Sequence, residues 1–354
     1  MKPSNKSNET QEVAIASPGS PSHHRPSQFI RHLISLVYLF LSLIIVLSIA
    51  GCGEQTSSTS TAANSSSTGG VQISSQPPIT CTTPPHLPGD SNASITSGGL
   101  KRTFIIHLAP SYGRQPQLVV ISYHAYSITA RNMAQYTNMG AEADKAGFIL
   151  VFPQGVDSPP SWNAGLGTLG PTGDADDIQF TRDMLSFVEK NYCVDTHRIY
   201  VTGWSLGGGM AYRVACTLSN QIAAIATVAG AYYQIPGGCH PSRAMPVLEI
   251  HGQADTFAPY GGNPGPGMAA VQVYLNAWLT NDGCEATNSV FFHQGDVTGI
   301  QWTHCNAGSV VVHYRISDGG HTWPGAHSIP SLGFTTHVID ANVVIWNFFS
   351  QYKI

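Results

Sequence analysis

The chain has 354 residues, of which only 10% are charged, and its formal net charge is −4. Hydrophobic residues make up 42% of the chain, enough to build a core, so global disorder is excluded. The sequence contains no basic run, which excludes a general nucleic-acid binder.

The N-terminal region has the pattern of an export signal. Residues 33–50 are uncharged and mostly apolar, and Arg25 and Arg31 precede them. Cys52 follows small residues in a sequence that resembles the bacterial lipoprotein cleavage box, in which the Cys thiol receives the lipid. We therefore predict a lipoprotein signal over 1–51 and a lipidated Cys52 that begins a Ser/Thr-rich tether over 52–80. The alternative is a retained transmembrane helix, because about 18 apolar residues suffice to span a bilayer.

Residues 81–354 have the pattern of one α/β domain. Short apolar runs predict strands at 103–109, 118–123, 148–152, 199–202, 224–229, 246–250 and 309–316. Amphipathic stretches predict helices within 129–146, 175–191, 206–219, 268–281 and 335–352. Apolar strands that alternate with helices predict a mainly parallel sheet with helices on both faces, and the carboxyl ends of its strands are where chemistry collects.

A nucleophile is predicted where strand 199–202 ends. The chain there reads Gly203-Trp204-Ser205-Leu206-Gly207 and continues as a helix. A G-x-S-x-G sequence between a strand and a helix is typical of the nucleophile elbow, which exposes its Ser on a tight turn. The free N–H groups of the helix N-terminus can stabilise an oxyanion there.

A Ser nucleophile needs a base, and the base needs an acid that orients it. In this topology the acid and the His follow the Ser along the chain, each after its own strand. Asp255 follows strand 246–250, and His321 follows strand 309–316. We therefore predict a Ser205, Asp255 and His321 triad.

Other residues near these loops have alternative interpretations. Asp318 is an alternative acid, and His327 and His337 are alternative bases. We interpret His251 as a structural residue that fixes the loop carrying the acid, and His124, at the end of strand 118–123, in the same way.

Several longer motifs resemble those of a known family. They are Gly147-Phe148 with Phe152-Pro153-Gln154-Gly155, Ser161-Trp162-Asn163-Ala164-Gly165, Asp176-Asp177-Ile178 with Phe180, Cys193-Val194-Asp195 with Arg198-Ile199-Tyr200, His251-Gly252 with Asp255, and Gly319-Gly320-His321-Thr322-Trp323-Pro324-Gly325. From about 101 to 325 the chain resembles the secreted esterases that include poly(3-hydroxybutyrate) depolymerases and feruloyl esterases. The resemblance implies the α/β-hydrolase fold and an esterase triad at Ser205, Asp255 and His321.

The sequence departs from that family at two positions. Leu206 stands where many members have Asn, and Ala125 follows His124 where the family usually has Gly. A backbone N–H is present in any case, so we expect the N–H groups of Leu206 and Tyr126 to form the oxyanion hole. Ala125 is the more consequential change, because Ala is excluded from backbone conformations that Gly adopts.

The expected chemistry is acyl transfer from an ester through an acyl-enzyme. Aromatic residues on the predicted site loops suit an apolar or phenolic acyl group, with core packing as the alternative for each: Trp204, Trp162, Tyr260 and Trp323. The expected substrate is a phenolic, polysaccharide-linked or polyester ester. No metal-ligand cluster or dinucleotide motif is found in the sequence, so no cofactor is expected. The rival hypotheses are a polysaccharide-binding surface protein that keeps the fold without strong catalysis, and a peptidase of the same superfamily.

The cysteines indicate an oxidising compartment. Apart from Cys52, six of the seven Cys can form disulfides. Cys284 and Cys305 flank one hairpin-like region and are expected to pair, Cys216–Cys239 is the next choice, and Cys81–Cys193 then follows. Other pairings stay open, since spacing alone does not fix connectivity. The protein is thus expected to be extracellular, either secreted or held at the outer face of the bacterial cell membrane by a lipid anchor.

Overall fold

The computed structural model describes residues 86–113, 115–168 and 175–354. Within these ranges the strands are β1 Gly89–Ser97, β2 Leu100–Leu108, β3 Gln117–Tyr123, β4 Ile149–Pro153, β5 Val194–Trp204, β6 Ala224–Val228, β7 Val247–Gly252, β8 Ser289–Gln294, β9 Val297–Trp302 and β10 Val311–Ile316. The α-helices are α1 Ala130–Thr137, α2 Met139–Ala146, α3 Asp177–Asn191, α4 Leu206–Thr217, α5 Val271–Asn281 and α6 Ala341–Phe349. The signal, the tether, Cys52 and Cys81 lie outside the described residues.

All ten strands form one sheet in the order β1-β2-β4-β3-β5-β6-β7-β10-β9-β8. The six strands from β4 to β10 in that order pair in parallel. Antiparallel hairpins, β1–β2 and β9–β8, extend the two edges. The predicted mainly parallel sheet is confirmed, and each of the seven predicted strands is present with ends shifted by a few residues.

Helices cover both faces of this sheet. Along β3, Val119 and Ile121 pack with α3, α4 and α5, whereas Val120 packs on the opposite face with α1, α2 and α6. This alternation follows from the two-residue period of a strand. Because both faces are covered, the central strands are apolar throughout, which is why the sequence reveals them.

The helix predicted over 129–146 is two helices. Asn138 has φ 50° and ψ 30°, so it ends α1 in the left-handed conformation and begins α2. Asn tolerates this conformation better than most residues do. Thr129 caps α1 by accepting a hydrogen bond from the Asn132 backbone N–H.

The Asp176-Asp177 motif has a structural role at the start of α3. Asp176 caps the helix by accepting from the Gln179 N–H. Asp177 is fully buried, and its carboxylate lies 2.7 Å from the Arg102 guanidinium of β2. The ion pair therefore fastens α3 to the β1–β2 hairpin across the face of the sheet.

The strand register brings the predicted site loops together. Tyr123 of β3 pairs with Gly203 of β5, and Ile316 of β10 pairs with Gly252 of β7. The loops after these four strands therefore leave the sheet at one edge.

Two disulfides fasten elements outside that edge. They are Cys216–Cys239 and Cys284–Cys305, the pairs that the sequence favours. The pairing of Cys193 with Cys81 stays a prediction, because Cys81 lies outside the described residues. None of the helices in the described ranges combines the length and apolarity needed to cross a bilayer.

Candidate active site

Ser205 occupies a strained turn between β5 and α4. Its φ of 59° and ψ of −122° lie in a region that L-residues rarely adopt. A Cβ at Gly207 would overlap the Tyr123 carbonyl oxygen, and a Cβ at Gly203 would overlap that of Gly207. The turn is held from β6, because the Ser205 N–H donates to the Val228 oxygen at 3.0 Å. The G-x-S-x-G spacing is therefore a steric requirement of this turn.

Asp255 and His321 form a buried pair. His321 Nδ1 lies 2.7 Å from Asp255 Oδ2, and both residues are at most 5% exposed. The other carboxylate oxygen accepts the N–H groups of Phe257 and Ala258 at 2.8 and 2.9 Å. Burial would raise the pKa of Asp255, but hydrogen bonds and charge from His251 and His321 hold it well below its usual value. Asp255 is thus a fixed carboxylate aimed at His321.

The alternative acid and bases lie elsewhere. Asp318 is exposed and makes no hydrogen bond with any residue that the structure describes. His327 is exposed and packs against the Tyr136 ring, and His337 is also exposed. None of the three contacts Asp255 or His321 within the described part of the chain.

The elbow and His321 meet through Trp204. The ring of Trp204, the residue before Ser205, is buried and lies 5.4 Å from the His321 ring, centroid to centroid. The Ser205 hydroxyl makes no hydrogen bond with the described residues. Hydrogen bonds between catalytic groups are often long in ligand-free sites and tighten when substrate binds.

The two expected oxyanion donors lie on neighbouring segments. Leu206 is the first residue of α4, and Tyr126 follows β3. Gly207 lies against the carbonyl oxygens of Tyr123 and His124, which brings the α4 N-terminus to the loop carrying Tyr126. Within the described residues neither N–H donates a hydrogen bond, so both can receive an anionic oxygen.

The Gly-to-Ala departure at position 125 causes no backbone strain. Ala125 is buried, and it is absent from the residues with positive φ. Ser127, two positions later, has φ 64° and makes the left-handed turn instead. Its N–H donates to the Pro160 oxygen at 2.9 Å.

Trp162 packs in the core behind this loop. It is fully buried, and its indole N–H donates to the His124 oxygen at 2.9 Å. His124 in turn accepts the Gly155 N–H on Nε2 at 2.9 Å, and burial lowers its pKa to about 4. The structural role expected for His124 agrees with these contacts, whereas the expectation that Trp162 lines the acyl pocket is corrected.

The other aromatic residues divide between core and site. Trp323 is fully buried and donates its indole N–H to Asn342, so it too is corrected from pocket wall to core residue. Tyr260 is half-buried, with its hydroxyl 2.8 Å from His313 Nε2. Only burial separates these residues, and a sequence does not reveal burial at a loop.

Phe257 is a site residue that the sequence reasoning missed. It is 55% exposed, and its ring lies 5.3 Å from the His321 ring. Phe334 is also about half exposed and lies beside the His321 loop, where its oxygen accepts the Gly320 N–H. The position of Phe257, two residues after the predicted acid on the same loop, is the signal that could have found it. Phe257 and Phe334 together give the surface beside His321 an apolar character.

Comparison with known proteins identifies related esterases, although no family model matches the chain. It is 27% identical over 252 residues to the putative esterase NocK of Nocardia uniformis, covering 65% of this chain and 73% of that protein. It is 31% identical over 216 residues to feruloyl esterase B of Piromyces equi, covering 57% of this chain. It is 25% identical over 255 residues to the bifunctional acetylxylan esterase/xylanase XynS20E of Neocallimastix patriciarum, covering 70% of this chain. The chain spans 39% and 33% of the lengths of the last two proteins.

A solved structure supports the fold independently. The acetyl xylan esterase from Aspergillus awamori superposes with a TM-score of 0.50 at 16% identity, covering 66% of this chain and 94% of that one. The chain is therefore an esterase homologue with the α/β-hydrolase fold, and the enzyme class that its motifs predict, carboxylic-ester hydrolase, is confirmed.

Proposed function

We propose that this protein is an extracellular serine esterase that works through an acyl-enzyme on Ser205. The observation that carries the proposal is the buried Asp255–His321 pair, whose imidazole packs against Trp204, the residue before the strained Ser205 of the elbow. A His oriented by a fixed carboxylate is the base that a Ser hydroxyl requires.

The reaction proceeds in two acyl transfers. His321 Nε2 takes the Ser205 hydroxyl proton while the Ser oxygen attacks the ester carbonyl, and the N–H groups of Leu206 and Tyr126 stabilise the oxyanion. The ester C–O bond then breaks, and His321 returns the proton to the departing alcohol. In the second half a water donates a proton to His321 and attacks the acyl-enzyme carbonyl. The bond from that carbonyl to the Ser205 oxygen then breaks, His321 returns the proton to Ser205, and the acid is released. Asp255 holds the imidazole in the tautomer that accepts at Nε2 and stabilises its transient positive charge.

Covalent labelling tests the nucleophile directly. A fluorophosphonate probe should label the folded protein, and Ser205→Ala should abolish both the labelling and p-nitrophenyl acetate hydrolysis. Ser350→Ala, at an exposed Ser that follows α6 and lies outside the predicted site loops, is the matched control and should label normally. A folded protein that takes up no probe would favour the polysaccharide-binding alternative.

For the substrate class we propose an ester with an apolar or phenolic acyl group. The relatives are named feruloyl and acetylxylan esterases, and the exposed Phe257 ring beside His321 offers an aromatic contact. Phe257→Ala should lower kcat/KM for methyl ferulate by about tenfold, the worth of one aromatic contact, and change p-nitrophenyl acetate hydrolysis by less than about twofold.

Two further measurements sharpen this result. Phe291→Ala removes a comparably exposed Phe from β8, away from His321, and should leave both substrates unaffected. An equal loss on both substrates in Phe257→Ala would refute a role in acyl selection. Clearing of a poly(3-hydroxybutyrate) suspension faster than ferulate release would instead favour the polyester as substrate.

For localisation we propose a lipid anchor on Cys52. The sequence pattern before Cys52 supports it, and two disulfides in the domain fit an oxidising compartment. Cys52→Ser should abolish lipid labelling and move the protein to the soluble fraction. A membrane pool that does not change would point to a retained transmembrane helix.

A further inference from the structure

A second carboxylate lies buried behind the proposed triad. Glu249 on β7 is fully buried, and its Oε1 lies 2.8 Å from His251 Nδ1. Oε1 also accepts the Tyr232 hydroxyl at 3.1 Å, and Oε2 lies 2.6 Å from His313 Nδ1 on β10. None of these groups takes part in the proposed acyl transfer. Burying ionisable groups costs free energy unless they are paired, so their pairing calls for an explanation.

His251 connects this carboxylate to Asp255. Its Nδ1 faces Glu249, while its Nε2 lies 2.8 Å from the Ala258 carbonyl oxygen and 3.5 Å from Asp255 Oδ2. Carboxylate and carbonyl oxygens only accept hydrogen bonds, so each ring nitrogen must carry a proton. An imidazole with two N–H groups is an imidazolium.

The same chain contains the neutral contrast. His124 is buried to the same degree, but its Nε2 accepts a backbone N–H from Gly155 while Nδ1 faces the Ala125 oxygen. One donor and one acceptor describe a neutral imidazole. The hydrogen-bonding groups around each ring therefore determine that His124 is neutral and that His251 carries a charge.

We propose that His251 is a permanently charged imidazolium between Glu249 and Asp255, and that it acts as a positioning residue that sets the charge felt by His321. The proposal rests on the proposed esterase function. The charged groups then follow one another from Glu249 to the triad: the Glu249 carboxylate, the His251 imidazolium, the Asp255 carboxylate and the His321 imidazole.

The other polar groups around His251 leave this assignment in place. The Tyr260 ring packs edge-on at 5.8 Å, and its hydroxyl lies 2.8 Å from His313 Nε2 rather than from His251. Arg315 is the register partner of His251 on β10 and is half-exposed. Tyr274 stacks on Tyr232 beside Glu249.

The electrostatics of the cluster agree with this charge state. Burial disfavours an imidazolium, but Glu249 and Asp255 outweigh it and raise the pKa of His251 to about 10. Burial likewise opposes ionisation of Glu249, yet the two neighbouring His side chains lower its pKa to about 2. The three groups together carry one net negative charge next to His321.

Spectroscopy on the resting enzyme tests the charge without any turnover. In protein with ¹⁵N-labelled His, the ring of His251, assigned by its loss in His251→Gln, should show two protonated nitrogens at pH 8. A single protonated nitrogen at pH 8 would overturn the proposal, whether or not the enzyme hydrolyses esters. Failure of the esterase proposal would appear separately, as absent fluorophosphonate labelling.

Charge-changing variants test the effect on His321. His251→Gln keeps two amide donors but leaves two negative charges, so protonated His321 is stabilised and the acidic limb of kcat/KM moves up by about one pH unit. The double variant Glu249→Gln/His251→Gln restores one net negative charge and should bring the limb back to the wild-type position. A purely structural role predicts greater damage in the double variant and no return.

His313→Gln is the matched control, because it removes the other His beside Glu249 and leaves the His251–Asp255 contact in place. It should leave the acidic limb in place, with folding of each variant checked by circular dichroism. An unshifted limb in active His251→Gln, or an equal shift in His313→Gln, would overturn the proposal.

Discussion

At the residue scale, three buried His side chains in one domain have different roles because their partners differ. His124 faces one donor and one acceptor, His251 faces two acceptors, and His321 faces Asp255 while its ring packs against Trp204 of the elbow. The sequence alone predicts the Asp255 and His321 positions, since each follows its own strand. It does not predict which aromatic side chains line the site, because packing in the folded protein decides that Trp162 is buried and Phe257 is exposed.

The Asp255 carboxylate gives a test at this scale. Asp255→Asn should lower kcat about 10⁴-fold with little change in KM, because the amide can favour the wrong imidazole tautomer and cannot balance the imidazolium. Steady-state kinetics on p-nitrophenyl acetate measure it. Asp318→Asn, at the exposed alternative acid, should keep wild-type kcat, and the opposite ranking of the two variants would transfer the acid role to Asp318.

At the element scale, the β5–turn–α4 unit fixes the site through close backbone approach. Gly207 contacts two carbonyl oxygens of the β3 loop, so α4 begins directly beside Tyr126. This unit is predictable from sequence, because a strand, two glycines at fixed spacing and a helix leave few other geometries. Strand β1 is not predictable from the sequence. Its Ser, Asn and Asp residues are mostly exposed and have a low preference for strands, so β1 depends on its pairing with β2.

A side chain at Gly207, where α4 approaches the β3 loop, should damage both the site and the stability of the fold. Gly207→Ala places a methyl group on the Tyr123 carbonyl oxygen, so we expect a loss of about 1–3 kcal/mol in unfolding free energy and a strong loss of labelling. Gly261→Ala is the control, because a Cβ there meets no atom within 4 Å. Denaturant unfolding of the two variants compares them, and equal stability of both would contradict a steric role for Gly207.

At the scale of the whole molecule, Asp282 links three parts of the sheet face. It follows α5, its carboxylate accepts the Met245 N–H at 2.9 Å and the Ser309 hydroxyl at 2.7 Å, and its backbone oxygen accepts the Asn306 N–H. These contacts hold the entries of β7 and β10, the strands that lead to Asp255 and His321. The sequence shows Asp282 only as an acid without an adjoining strand end, since its partners are distant along the chain.

Burial of Asp282 has a consequence for stability that can be measured. Desolvation outweighs its hydrogen bonds and raises the pKa of this carboxyl to about 6, above the value of 3.8 expected in the unfolded chain. Between these two values the folded state binds more protons than the unfolded state, so this contribution to stability is complete below about pH 4 and is lost as the pH rises toward 6. The full difference is about 3 kcal/mol. In urea titrations from pH 4 to 7, wild type should therefore lose stability relative to Asp282→Asn, while Asp318→Asn should run parallel to wild type. If the free energies of unfolding of Asp282→Asn and wild type changed in parallel with pH, Asp282 would be ionised throughout this range in the folded protein.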